Sequence, residues 1–463
     1  MEAFFVGLNY YLWGWPMLVL LLGTHIFMTV RTGFIQKNIG LAIKLTFAND
    51  KEGKGDVSQL GALSTALAST VGVGNIIGVG TAIALGGPGA VLWVWLSGVF
   101  GIATKYAESL IAVKYRVQTS SGTMLGGAMY ALERGLKCRW GGIVFSMCAA
   151  LAAFGIGALV PEKAVMDTVK ANFGVDHHIT GIVIAVLAGV VILGGVKSIS
   201  KTCTFFVPIM AVVYVLGCVY ILIVNAPYLG QTISLIVKSA FSTTAATGGF
   251  IGATVMIAAR YGVARGLFSN ESGMGSAPII AAAAKTKNPV RQALVSSTGT
   301  FWDTVVICAL TGIVLVSTII SDPSVVFDST GAHVDGFLLT TQAFTKIPMV
   351  GPFVLVFGLI TFAFSTILGW SYYGEKGLEY VFGKKSILPY RIIWILALLL
   401  GAFEMSLGTV FEMADTLNAL MAIPNIIAVL LLSGIIVKET KYYLQDEEHL
   451  NEVDDTEIPV MKK

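Results

Sequence analysis

The sequence predicts an all-α polytopic membrane protein, on the evidence of its composition, its long apolar stretches and the distribution of its basic residues. Of its 463 residues, 55% are hydrophobic and only 12% are charged, and the mean hydropathy is +0.80. An ordinary soluble domain carries about 25% charged residues. The composition therefore excludes a soluble globular protein and a disordered chain. The net charge of +3 creates no strong field, so nucleic acid is not an expected partner.

Eleven apolar stretches have the length of a membrane-spanning helix. The first is followed directly by Arg31 and has no basic segment before it, so we interpret it as a span and not as a signal peptide. The seventh is too long for one plain helix and contains polar residues. The stretches lie at about 12–30, 58–85, 89–113, 140–160, 179–196, 203–224, 249–285, 295–319, 350–374, 391–410 and 417–437.

The basic residues predict the orientation in the membrane. Of the 30 Lys and Arg residues, 23 lie in alternate connections, namely 31–57, 114–139, 197–202, 285–294, 375–391 and the tail from 438. Because cytoplasmic loops are enriched in Lys and Arg, we expect the N-terminus outside and the C-terminus in the cytoplasm. Residues 32–56 are predicted to form an amphipathic helix at the cytoplasmic surface. The acidic segment 446–458 is expected to be solvated and mobile.

Glycine and small polar residues interrupt two of the apolar stretches. Residues 69–78 read STVGVGNIIG, and residues 268–278 read FSNESGMGSAP. Glycine weakens a helix, and unpaired backbone groups are costly in lipid, so each break must face protein or a polar cavity. Paired broken helices in the two halves of a chain point to the binding site of a transporter. The alternative is that these glycines only allow close helix packing.

Each break lies in the first span of a block of five. Because five is odd, the second block must be inverted in the membrane, which predicts a 5+5 inverted repeat with two discontinuous helices. The expected divisions are an N-terminal transmembrane helix and cytoplasmic helix at 1–57, a first repeat at 58–224, a second repeat at 225–437 and a cytoplasmic tail at 438–463.

One segment of seventeen residues, GVARGLFSNESGMGSAP at 262–278, is the most distinctive in the chain. Shorter distinctive segments are TVGVGN at 70–75, GGPGA at 86–90, KYAE at 105–108, ATGGF at 246–250, YGEK at 373–376 and MAIPN at 421–425. Together they resemble the sodium:alanine (alanine or glycine:cation) symporter family. The resemblance implies a leucine-transporter-type fold with one extra N-terminal helix. It also implies sodium-driven import of a small neutral amino acid, alanine or glycine, across the plasma membrane by alternating access.

The resemblance also implies the partners and the substrate site. The partners are the amino acid, sodium and the lipid bilayer, with sodium as the coupling ion, no other cofactor and a monomeric protein.

A zwitterion needs N–H donors for its carboxylate and carbonyl acceptors for its ammonium group. The expected substrate residues are Thr70, Gly72, Val73, Gly74, Phe154, Phe268, Ser269, Gly273 and Trp370. After Gly157 the family usually has a polar Asn–Gln–Asn stretch, whereas this chain has ALVPEK at 158–163. Alanine, glycine and related small amino acids therefore all stay possible.

Two sodium sites are implied, because sodium prefers oxygen ligands. The second site of this fold would use the hydroxyls of Ser365 and Thr366. The alternative is that these hydroxyls only bond back to carbonyls on their own helix. The expected sodium residues are Ala68, Val71, Asn75, Ser269, Phe362, Ser365 and Thr366, with the Thr70 carbonyl near the first site.

Charged residues inside the membrane are costly, and four are candidates for coupling or gating: Arg260, Arg265, Glu271 and Asp303. The alternative for these four is a structural network, Arg265 with Glu271 or Arg260 with Asp303. Lys105 and Glu108 are expected to pair near a cytoplasmic helix end.

A proton-coupled transporter and a channel are the rival functions. An enzyme and an ATP-driven pump are not expected, because the chain has no nucleophile–base pair, no metal-spaced His pair and no GxxxxGK[ST] motif.

Overall fold

A computed structural model describes residues 2–48, 53–241, 254–327, 334–401 and 407–461. Helices lie on all eleven predicted stretches within this part of the chain. By length and apolar composition, 5 of these helices are able to cross a membrane, or up to 8 if each bent pair is one span. The protein is therefore a mostly helical, multi-pass membrane protein. The count of eleven spans and the four divisions of the chain stay predictions.

The first third of the chain contains the N-terminal helices and the first broken helix. Ser58 caps the broken helix, since its hydroxyl accepts the N–H of Gly61 at 3.0 Å. The helix at 39–46 follows a bend of 67° and buries Leu45 while exposing Lys44, so it is amphipathic. The helices are α1 (Glu2–Leu12), α2 (Trp15–Arg31), α3 (Ile39–Thr46), α4 (Gln59–Thr70), α5 (Val79–Gly86) and α6 (Ala90–Lys114), with a 3₁₀ turn at Ile35–Asn38.

The middle of the chain adds six helices. Two of them are joined through a π-helical turn at Ala153–Leu159, so that Arg139–Phe173 forms one continuous helix of 35 residues. Another π-helical turn lies at Ala131–Gly135, and a 3₁₀ turn lies at Ala226–Tyr228. The helices are α7 (Ala128–Tyr130), α8 (Arg139–Ala152), α9 (Val160–Phe173), α10 (His177–Leu193), α11 (Gly195–Val224) and α12 (Leu229–Phe241).

The last part contains the second broken helix and the helices that surround it. A π-helical turn at Phe301–Cys308 joins two of them into the continuous helix Pro289–Ser321. Further 3₁₀ turns lie at Pro323–Val326 and Lys384–Ser386. The helices are α13 (Val255–Asn270), α14 (Ala277–Ala281), α15 (Pro289–Thr300), α16 (Ala309–Ser321), α17 (Gly336–Phe344), α18 (Gly351–Phe382), α19 (Ile387–Gly401), α20 (Leu407–Leu431), α21 (Ser433–Tyr443) and α22 (Glu447–Asn451).

Both predicted helix breaks are present. Helix α4 stops at Thr70, Val71 is extended, and a π-helical turn at Gly74–Gly78 leads into α5 at an angle of 52°. Helix α13 ends at Glu271, which adopts a left-handed conformation with φ 56°. The two broken helices pack crosswise, with α4 against α14 and α5 against α13. The first half of each lies beside the second half of the other, so the two broken helices run antiparallel.

The C-terminal tail differs from the expectation of a mobile segment. Within the described residues it forms α22 and a short strand that pairs with residues following α6. The strands are β1 (Val117–Thr119), β2 (Met124–Leu125) and β3 (Val460–Met461), in the order β2-β1-β3, with β1 and β3 parallel. Leu450 is buried, which anchors the tail. The segment 246–250, which supported the family resemblance, lies outside the described residues.

Close packing between α13 and α6 gives a test of the fold. A Cβ atom at Gly262 would lie 2.5 Å from the carbonyl oxygen of Ala90 and 2.6 Å from the Cβ of Trp93. Gly262→Ala should therefore lower the free energy of unfolding by about 1–3 kcal/mol. Gly23→Ala in α2 is the matched control, because no atom lies within 4 Å of its added Cβ. Thermal unfolding in detergent measures both. Equal melting temperatures for the two variants would contradict this packing.

Candidate functional site

Three π-helical turns carry polar or aromatic side chains of the predicted site. The turn Gly74–Gly78 contains Asn75, the turn Phe301–Cys308 contains Asp303, and the turn Ala153–Leu159 contains Phe154. Such turns are rare and occur often at functional sites. Sequence patterns gave no sign of these turns, because a π-helical turn changes the backbone without a characteristic residue type.

The carboxylate of Asp303 joins the two helix breaks. Its Oδ1 accepts the amide of Asn75 at 2.7 Å, and its Oδ2 accepts the hydroxyl of Ser269 at 2.9 Å and that of Thr304 at 2.6 Å. The side chain is completely buried. In the part of the chain that the structure describes, these partners are neutral and no basic side chain pairs with Asp303. A buried carboxylate in this setting is costly unless a cation or a proton offsets its charge.

Asn75 fixes the first break. Its Oδ1 accepts the N–H of Gly72 at 2.8 Å while its Nδ2 donates to Asp303. The Gly72 N–H, which the sequence assigns to the substrate, is therefore bonded to Asn75 in this conformation. A Cβ atom at Gly74 would lie 3.2 Å from the Phe268 ring and 3.4 Å from the Ser269 Cα. The two breaks are thus in direct contact, and the close approach favours glycine there.

Residues predicted for the second sodium site come together where α18 packs against α4. The Ser365 hydroxyl lies 3.0 Å from the Ala68 carbonyl oxygen and 2.9 Å from that of Phe362. The Thr366 hydroxyl lies 2.9 Å from the same Phe362 oxygen. A Cβ atom added at Gly72 would lie 2.7 Å from this Thr366 hydroxyl. The hydroxyls do bond back along their own helix, as the alternative interpretation requires. They also face α4, and their oxygens keep lone pairs that can bind a cation.

Glu108 holds the second break, although the sequence indicated only surface pairing for it. Its Oε2 accepts the backbone N–H groups of Gly273 at 3.1 Å and Gly275 at 3.2 Å, and the Asn425 amide at 2.8 Å. Both glycines have positive φ, +89° and +79°. Lys105 pairs with Glu108 at 3.2 Å. All of these groups are buried, so the predicted pair is present but packs against the rest of the protein.

Glu271 connects the second break to α18. Its Oε1 accepts the indole N–H of Trp370 at 2.9 Å, and its Oε2 accepts the Ser276 hydroxyl at 2.5 Å. The Lys105 ammonium donates to the Glu271 carbonyl oxygen at 3.0 Å. Trp370 lies one turn after Thr366, so Glu271 reaches the helix that carries the second candidate sodium site.

The predicted aromatic residues lie on different walls. Phe268 meets Gly74 at the contact between the breaks. Trp370 packs against Gly157, where an added Cβ atom would lie 2.1 Å from the Cβ of Trp370. Phe154 packs against Tyr390 and Trp394 of α19, with ring centroids 5.5 and 5.3 Å apart. The structure therefore brings Phe268 and Trp370 to the breaks and places Phe154 in an aromatic cluster with α19.

The gating candidates have the following partners. Arg265 forms an ion pair with Asp415 at 3.4 Å, a residue that the sequence analysis did not single out, and its guanidinium lies over the Phe268 ring. Arg260 lies over the Tyr261 ring. The sequence contained one usable signal for the missed residues. Asp415, like Lys105 and Glu108, is a charged residue beside or within an apolar stretch.

Membrane-spanning helices with paired helix breaks are the architecture of a membrane transporter. The chain belongs to the sodium:alanine symporter family, whose model matches residues 1–457. It is 49% identical over 442 residues to the sodium/alanine symporter AgcS of Methanococcus maripaludis, covering 94% of this chain and 95% of that protein. It is 34% identical over 446 residues to the probable sodium/glutamine symporter GlnT of Bacillus subtilis, covering 95% and 90%.

The solved structures support the fold. The crystal structure of MhsT in complex with L-phenylalanine matches with a TM-score of 0.54 at 15% identity, covering 87% of this chain and 94% of that chain. This agrees with the leucine-transporter-type fold that the motifs implied.

The contacts of Glu108 give a test of the second break. Glu108→Ala should strongly destabilise the protein, because each polar group left buried without a partner costs about 1–3 kcal/mol. Glu108→Gln should be less damaging, because an amide oxygen can still accept the glycine N–H groups. The matched control is Glu439→Ala, which breaks a partly exposed pair with Lys114 and should cost about 0–1 kcal/mol. Melting temperatures in detergent measure the stability of all three variants. If Glu108→Ala were as stable as the control, Glu108 would not hold the second break.

Proposed function

We propose that the protein is a sodium-coupled symporter that imports a small neutral amino acid, alanine or glycine, across the plasma membrane by alternating access. The observation that carries the proposal is the bonding of one buried carboxylate, Asp303, to both helix breaks. A cation bound at this carboxylate would act on both breaks at once. Ion binding and the conformation of the substrate site would then be linked.

The charge balance at the breaks supports coupling to cations. Glu108, Glu271 and Asp303 are buried there, and Lys105 is the basic residue beside them among the described residues. Lys105 offsets Glu108. The two remaining carboxyl groups need either protons or bound cations in a medium where charge is costly. Sodium supplies this charge in the main proposal, and protons supply it in the rival one.

We infer two sodium sites. The first would use Asp303, Asn75, Ser269 and the Thr70 carbonyl, where the breaks touch. The second would use the Ser365 and Thr366 hydroxyls with the carbonyls of Ala68, Val71 and Phe362. The Ser365 hydroxyl already lies within 3.0 Å of the Ala68 and Phe362 carbonyl oxygens, and the Thr366 hydroxyl lies 2.9 Å from that of Phe362. Both sets consist of hard oxygen ligands, which suit sodium.

The amino acid would bind between the breaks. Its carboxylate would meet the N–H groups of Gly72, Val73 and Gly74, and its ammonium group would meet carbonyls of Thr70, Phe268 and Ser269. For Gly72 this requires Asn75 to release the N–H that it now accepts. Gly273 and Trp370 would complete the pocket. The tight packing of Trp370 on Gly157 holds this side chain in place, and the relative AgcS is described as a sodium/alanine symporter.

The membrane arrangement belongs to the same proposal. The antiparallel packing of the two broken helices supports an inverted repeat of five plus five spans with one extra N-terminal helix. The basic connections near 54, 118 and 287 and the tail meet at one end of the molecule. This grouping supports a cytoplasmic C-terminus, with the N-terminus outside. We propose a monomer.

Uptake by purified protein in liposomes tests the function. Radiolabelled alanine and glycine should accumulate under an inward sodium gradient and not under an inward proton gradient alone. Accumulation driven by protons without sodium would favour the proton-coupled alternative. Ion currents far above the rate of amino-acid uptake would favour a channel. Absence of all alanine and glycine binding would refute the substrate assignment.

The second sodium site gives a specific prediction. Ser365→Ala with Thr366→Ala should reduce sodium affinity at least about tenfold, because two oxygen ligands are lost from a buried site. Thr361→Ala is the matched control, since this partly exposed residue of the same helix bonds back to Phe357 and lies on the side that faces α9 and α10. The sodium dependence of alanine binding measures the effect. An unchanged sodium dependence in the double variant would reject this site.

The size of the pocket gives another prediction. Trp370→Ala should improve the binding of leucine relative to alanine, by about 10–200-fold if one or more methylene groups become accommodated. Trp370→Phe keeps most of the volume but removes the bond to Glu271, so it should retain the wild-type ranking. Competition with alanine, valine and leucine separates the two effects. If Trp370→Ala keeps the wild-type ranking, residues 158–163 become the better candidate for selectivity.

A further inference from the structure

The acidic tail is bound to the end of the molecule that carries the basic connections. Asn288 donates to the carbonyl oxygens of Leu450 at 2.9 Å and Glu452 at 3.0 Å. Arg291 donates to the Asn451 side chain at 2.7 Å. Asn288 is also the cap of α15, because its Oδ1 accepts the Arg291 N–H at 3.0 Å. The tail is therefore attached to the start of α15, and Asp303 lies further along the same continuous helix.

The tail continues from this helix to the connection after α6. The Asp454 N–H donates to the Lys287 carbonyl at 2.8 Å, and the Gln118 N–H donates to the Pro459 carbonyl at 2.9 Å. In the parallel pair of strands, Gln118 lies opposite Val460. The tail thus crosses from the segment before α15 to β1 through backbone hydrogen bonds at both ends.

Charge complementarity accompanies these bonds. A cavity of about 100 Å³ lies between the tail and the helix ends. Burial lowers the pKa of Arg116 to about 10, while the nearby Asp454 acts to raise it, so the side chain stays charged at neutral pH. The cavity is lined by the basic residues Lys54, Lys114, Arg116, Arg134 and Lys287 and by the acidic tail residues Asp454, Asp455 and Glu457.

The same region joins the two broken helices. The Asp56 N–H donates to the Ala283 carbonyl at 2.8 Å, and the Lys285 N–H donates to the Val57 carbonyl at 2.7 Å. A Cβ atom at Gly55 would lie 2.3 Å from the Lys285 nitrogen, so the two segments touch backbone to backbone. Residues 53–57 precede α4, and residues 283–286 follow α14. Opening a path from the breaks to this end requires these two segments to separate.

We propose that the C-terminal segment 446–461 is a latch on this gate, which we define as residues 53–57 and 283–286. When docked, the tail fixes Lys287 and Asn288, directly after the gate, to β1. It thereby stabilises the closed gate, and it must release or shift each time the gate opens. The inference rests on the alternating access proposed above. A latch of this kind gives the cytoplasmic end a control that acts at a distance from the substrate site.

A reversible crosslink tests the latch. Gln118→Cys with Val460→Cys, in a Cys138→Ser background that removes the exposed native cysteine, places two thiols on paired residues. Oxidation should slow sodium-driven alanine uptake about fivefold or more, and reduction should restore it. Alanine binding in detergent should be unchanged, because the crosslink does not touch the site. The matched control is Gln118→Cys with Met124→Cys, which links β1 to β2 and leaves the tail free.

Removal of residues 452–463 tests the latch in the opposite direction. Gln59 is buried and donates to Thr286 in the gate, so the thiol of Gln59→Cys should react faster with a maleimide in the truncated protein. Equal uptake by the oxidised and reduced forms of the tail crosslink would overturn the latch. So would equal labelling with and without the tail. Either result leaves the proposed function standing, whereas loss of sodium-driven uptake in the unmodified protein would overturn the function itself.

Discussion

The interrupted backbone of the two broken helices is the constraint on which the structure depends. Each break leaves N–H groups without helical partners inside the membrane, where water cannot satisfy them. Asn75 accepts one such group in the first break, and Glu108 accepts two in the second. Neither acceptor is isolated, since Asn75 donates to Asp303 and Glu108 pairs with Lys105. The polar residues needed to stabilise the breaks therefore also determine where charge lies in the site.

The sequence was informative where a signal is contiguous. The breaks were predictable because glycine and small polar residues interrupt apolar runs. The pair Ser365–Thr366 was singled out only because the family resemblance implied a sodium site there. The pairings were not predictable. Asn75 and Asp303 are 228 residues apart, and Glu108 and Gly273 are 165 apart. No local pattern records which buried donor meets which acceptor over such separations. The family resemblance supplied the fold but not the anchoring role of Glu108.

The tail shows a second kind of failure of sequence reasoning. Acidic composition favours solvation when a segment is considered alone. The partners of this segment come from four separate parts of the chain, near residues 54, 116, 134 and 287, and no one of them is strongly basic. Only the fold collects these charges on one surface. The alternation of basic connections, which predicted the orientation, was already the sequence signal for that surface, because it placed the tail and the basic connections on the same side.

Two regions that hold the broken helices in place are stabilised by different kinds of interaction. The end near the tail is closed by backbone hydrogen bonds between residues 53–57 and 283–286, where glycine permits direct contact. In the opposite half, α13 is held to α20 by the pair Arg265–Asp415, and α1 joins through the bond from Trp13 to the Asp415 carbonyl. A largely buried ion pair responds to a nearby charge more strongly than a hydrogen bond between neutral backbone groups does. If a cation binds at Asp303, as proposed, the added charge would act on the Arg265–Asp415 ion pair more strongly than on bonds between neutral backbone groups, so the two regions would respond unequally to the ion.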